Sequence, residues 1–75
     1  MDREIFLAHL KQAERHVAEG ERLLKHQRCV VEHLRRDPGS DLIDAAERLL
    51  HSFEEVQMLH VADVTRLRKE LEAPT

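Results

Sequence analysis

Arg36-Asp37-Pro38-Gly39-Ser40 is the one strong break in this sequence, and what flanks it decides the fold. Proline pushes its predecessor out of the α region and glycine accepts positive φ, so the stretch reads as a turn. Upstream of it a stripe runs through Phe6, Leu10, Ala13, Val17, Gly20, Leu24, Gln27, Val31 and Leu34, in alternating steps of four and three. Downstream a second runs through Ile43, Ala46, Leu50, Phe53, Gln57, His60, Val64, Leu67 and Leu71, in steps of three and four. That alternation is the heptad a/d spacing, which keeps one narrow stripe on one side of a long helix. Folded back at the turn, the stripes pair outward: Leu34 with Ile43, Val31 with Ala46, Gln27 with Leu50, Leu24 with Phe53. The ladder continues through Gly20 with Gln57, Val17 with His60, Ala13 with Val64 and Leu10 with Leu67, and closes at Phe6 with Leu71.

The expected fold is therefore all-α: a single antiparallel, coiled-coil-like hairpin over residues 1–75, with a helix over about 3–36, a turn at 37–40 and a helix over about 41–72. Asp2 suits the first N-cap, with Glu4 in the first turn. Ser40 or Asp41 suits the second, with Asp41 and Asp44 beside the N-terminal dipole, and Ala73-Pro74-Thr75 reads as a frayed end. Glu21–Lys25, Glu32–Arg36 and Asp44–Arg48 have the favourable i,i+4 orientation. Gly20 falls on the seam, where its missing side chain makes room for the longer Gln57.

Composition bounds what such a rod can do. The 75 residues are 36% charged and carry a net charge of −3, with both signs mixed and no basic block, which argues against a phosphate-neutralising nucleic-acid face. No apolar run approaches the roughly 18 residues of a membrane span, and no leader pattern is visible, so a cytoplasmic location is expected. One cysteine, Cys29, excludes an internal disulfide framework. A hairpin this small buries only its seam, so a partner is the expected supplement. The simplest is a second copy, giving a homodimeric four-helix bundle; another helical protein is the alternative.

The flanks of the seam say where that partner sits. With Leu10 and Ile43 at a positions, the e side is mostly charged: Glu14, Glu21, Arg28, Arg35, Glu47, Glu54 and Arg68, with Leu7 and Val61. The g side near the turn is apolar throughout, at Leu23, Val30, Leu42, Leu49 and Val56. These five widen the apolar face beyond what one neighbouring helix covers, and they are the expected interface.

The rest of the g side carries His9, His16, Asp63 and Glu70, pairing His9 with Glu70 and His16 with Asp63, while His60 lies on the seam close by. Imidazole and carboxylate together suit a transition metal or a proton-responsive site. The plainer reading is His–acid pairing on a solvated flank. No two histidines stand four apart, and no Glu-x-x-His occurs, so the di-iron bundle pattern is missing. His26, His33 and His51 fall on outward positions, as does Cys29. No nucleophile–base–acid set, phosphate loop or paired catalytic carboxylates are visible, so no catalytic, cofactor or metal-ligating residues are expected. Gln27, Gln57 and His60 are polar seam members of the kind that fix register at some cost in stability.

The stretches Glu14-Arg15-His16-Val17-Ala18-Glu19-Gly20-Glu21-Arg22 and Phe53-Glu54-Glu55 followed by Leu59-His60-Val61-Ala62-Asp63 resemble those of a group of short bacterial helical-hairpin proteins. The resemblance implies a bacterial, cytoplasmic hairpin with no established activity attached. Both stretches meet on the ladder, where Val17 faces His60 and Gly20 faces Gln57. The expected function is a non-catalytic interaction or scaffold module. The rival is a histidine-based metal- or pH-responsive protein using His16, His60 and Asp63, with His9 on the same flank.

Overall fold

Asp2 starts the first helix as its composition suggests, its carboxylate accepting the Glu4 N–H at 3.0 Å. The computed structural model describes residues 2–73. Two helices, α1 (Arg3–Arg35) and α2 (Ile43–Glu72), lie antiparallel and pack against each other as a rod of 60 × 14 × 13 Å.

Between them the chain turns tightly. The Asp37 N–H donates to the Leu34 carbonyl at 3.1 Å, and the Ser40 N–H to the Asp37 carbonyl at 3.1 Å. The Asp37 carboxylate takes the Gly39 N–H at 3.1 Å, a side chain standing in for the next backbone carbonyl. Gly39 does not use a positive φ, contrary to the expectation; among the described residues none does. The Asp37 carboxylate and the constrained proline turn the chain with ordinary backbone angles instead.

The second cap also differs from the expectation. Ser40 Oγ accepts the Leu42 N–H at 3.2 Å, so the hydroxyl orders the approach to the helix and leaves its first turn uncapped. Leu42 occupies the N-cap in an αR conformation without a side-chain bond, and α2 begins at Ile43, not at 41. The first helix correspondingly ends at Arg35, with Arg36 as its cap. Ala73 caps α2 in an extended conformation; Pro74 and Thr75, read as fraying from sequence, lie outside the described residues.

The seam is where the spacing places it. Ala13, Leu24, Gln27, Val31, Ala46, Val64 and Leu67 are buried, and every other a and d position named above is half-buried. Phe6, Leu10 and Val17 pack on the cluster of Ala13, Val64 and Leu67 toward the chain ends. The two seam glutamines report the register directly. Gln27 Nε2 donates to the Ala46 carbonyl at 2.9 Å, and Gln57 Nε2 to the Val17 carbonyl at 2.9 Å. Helix carbonyls point toward the C-terminus, so each oxygen lies within one turn of the rung partner of its glutamine, Leu50 or Gly20.

Charge pairing departs from the local pattern. Glu21–Lys25, Glu32–Arg36 and Asp44–Arg48 do not close. Arg35 reaches Glu47 at 3.5 Å and Arg68 reaches Glu14 at 2.9 Å, both across the hairpin on the e side. Exposed i,i+4 pairs are worth only tenths of a kcal/mol, so these three gain little by closing.

Candidate interaction face and polar crossing

Four of the five g-side residues near the turn stand bare: Leu23 is 51% exposed, Leu42 61%, Leu49 46% and Val56 47%. Val30, the fifth, is half-buried, since it lies beside Gln27 and Val31, the most deeply covered stretch of α1. A helix carries apolar side chains to its surface without local reason, so a run of them along one edge asks for a cover. The sequence reading missed one member of this surface. Leu59, 67% exposed, lies one turn beyond Val56 on the same side of α2. Its i+3 spacing from Val56 was the available signal. On the opposite side Met58 is 72% and Val61 46% exposed.

The apolar edge ends at a polar crossing, built from a glycine. A methyl group at Gly20 would land on the Gln57 Oε1, so only the absence of a side chain lets the Gln57 amide lie against α1. This is the close approach that the seam position of Gly20 implied. The amide nitrogen is bonded to Val17, while Oε1 is buried with no hydrogen-bond partner. His60 Nδ1, one turn further on, is also buried and unpartnered. The His60 ring stacks obliquely on His16, with centroids 5.0 Å apart and planes inclined at 36°. A small hollow of about 80 Å³ opens here, lined by Gly20, Gln57, His16 and His60 together with Leu23, Phe53 and Val56.

The outer histidine flank is arranged otherwise than the spacing suggested. His9, His16 and Asp63 do border one shallow hollow. The expected His9–Glu70 and His16–Asp63 pairs do not form, because Arg66 takes both acids, reaching Asp63 at 3.7 Å and Glu70 at 3.4 Å. A guanidinium three and four residues away on the same helix reaches them without crossing the groove. His16 Nε2 receives the Gln12 amide at 3.2 Å. Among the described residues no three His, Cys, Asp or Glu side chains converge as a metal site. His51 holds Glu55 at 3.0 Å on the outer surface, and Cys29 is a free, exposed thiol.

No helix among the described residues is long and apolar enough to cross a membrane. No family model, curated protein or solved structure matches the chain.

Proposed function

We propose that the protein is a non-catalytic interaction or scaffold module that works as a homodimeric helical bundle. One observation carries this reading: Leu23, Leu42, Leu49 and Val56 are exposed together along one edge, in the half of the rod nearer the turn. At about 25 cal/mol per Å² of apolar surface, covering that edge contributes several kcal/mol per protomer. A two-helix seam without disulfides is short of stability on its own, so the partner also supports the fold.

The test is the solution mass by light scattering over a concentration series, for the wild type and for L49E/V56E. The wild type is expected to dimerise without added metal. The double substitution is expected to give a monomer that still pairs its seam but melts at a lower temperature, because both positions lie outside the seam while the partner's support is lost. A wild type that stays monomeric throughout overturns the homodimer.

A second reading draws on the buried, unpartnered His60 Nδ1 stacked beside His16. It makes the protein a metal- or proton-responsive one, with the two rings as the responsive group. Assembly that appears only with Zn²⁺ or Ni²⁺, and is lost in H16A/H60A, would replace the first reading with this one.

A further inference from the structure

The uncovered surface of α2 has a period. Leu42, Ala45, Leu49, Ser52, Val56 and Leu59 step by 3, 4, 3, 4 and 3, the spacing of the seam displaced by one residue. All six are exposed. One residue is about 100° of helix rotation, so α2 carries two stripes set roughly at a right angle. A helix at the corner of a four-helix bundle needs that arrangement, one stripe for each neighbour. The corresponding positions of α1 are interrupted by His9, Gln12, His16, Glu19, His26 and His33, and form no such stripe.

The stripe also complements itself. Laid antiparallel on a second copy, it has one register that uses all six positions. Leu42 then meets the partner's Leu59, Ala45 the partner's Val56, and Leu49 the partner's Ser52. Two of these three layers set a large side chain against a small one, which lets layers interdigitate. The outer border supplies matching charge. Arg48 and Glu55 flank the middle of the stripe, and in this register Arg48 faces the partner's Glu55, and Glu55 the partner's Arg48. The offset is that which sets His16 and Asp63 beside one hollow across the hairpin. Among the described residues Glu55 holds only His51, and Arg48 closes no ion pair. A parallel copy sets each g position against an e position, so Arg48 would lie toward the partner's Phe53 and lose the partner's Glu55.

We propose that α2 is the dimer helix: a second copy docks its own α2 antiparallel on Leu42–Leu59, about a two-fold axis midway between Leu49 and Ser52. This rests on the homodimer proposed above and adds the helix, the direction and the register.

Two experiments decide it. R48E and E55R are each expected to weaken self-association about tenfold, because each sets like charges face to face at two symmetry-related places. Mixed in equal amounts they restore the wild-type dimer mass, since each then offers the other opposite charges. Independently, a spin label on A62C in a C29S background reads direction; both sites are exposed and lie off the stripe. Antiparallel docking separates the two labels by about 35 Å along the axis, whereas parallel docking leaves them one interhelix distance apart, about 10 Å. A wild type that stays monomeric overturns the homodimer and this proposal together. A dimer with the short distance, or with no recovery on mixing, keeps the homodimer and overturns the antiparallel α2 seat.

Discussion

The two flanks of the seam differ in how far the hairpin completes them by itself. On the e side Arg35–Glu47 and Arg68–Glu14 bridge the helices at its two ends. On the g side near the turn nothing spans the helices, and Leu23, Leu42, Leu49 and Val56 face outward. Both flanks border the same seam and see the same pair of helices, so backbone geometry cannot be the cause. The chemistry of the positions is. Long charged side chains reach across a groove and remain hydrated at their tips, whereas a leucine or valine needs a third surface. A hairpin can finish its charged flank alone and cannot finish its apolar one.

The most severe way to break that comparison is to remove the floor that both flanks share. Leu24 is 7% exposed, and Leu24→Ala is expected to cost about 2–4 kcal/mol, which on so small a core abolishes a cooperative melt by circular dichroism. A milder change probes the crossing where the apolar edge ends. Gly20→Ala drives the Gln57 amide off Val17 while gaining about 1 kcal/mol of helix propensity, so alone it nearly cancels. Paired with Gln57→Ala in a double-mutant cycle, it is expected to show coupling of about 1 kcal/mol; additive effects would mean the close approach contributes nothing. The smallest effect belongs to the completed flank. Glu14 and Arg68 are 44% and 57% exposed, so a cycle on this pair should read about 0.2–1 kcal/mol and fade with salt. A larger coupling there would mean that the charged flank, and not the seam, holds the helices in register.

The seam was legible because it rests on a count. Steps of three and four, summed over 29 residues per arm of the ladder, leave one solution, and even the Gly20–Gln57 contact follows from it. The bare apolar edge was legible for the same reason, as positions adjacent to that seam. What escaped was decided by small differences. Arg66 had two acids on its own helix, and His9 and His16 had the same acids across the groove; no spacing ranks options so close in energy. The Ser40 hydroxyl had a choice of backbone donors, and it took Leu42, leaving the N-cap two residues on without a side-chain bond. The His16–His60 stack lay beyond reach because ring orientation depends on rotamers, which periodicity does not fix.

The single ladder also imposes an order in time. Its rungs join residues that are few positions apart beside the turn, at Leu34 and Ile43, and most of the chain apart at Phe6 and Leu71. Closing the longer loop first costs about 2 kcal/mol more chain entropy than closing the shorter one, so the hairpin zips from the turn and opens from its ends. Amide protection should decline along both helices away from Asp37–Ser40. The histidine-bearing end then spends the most time apart. The apolar edge of α2 lies on the half that forms first and parts last, and so it is on offer to a partner through most openings of the rod.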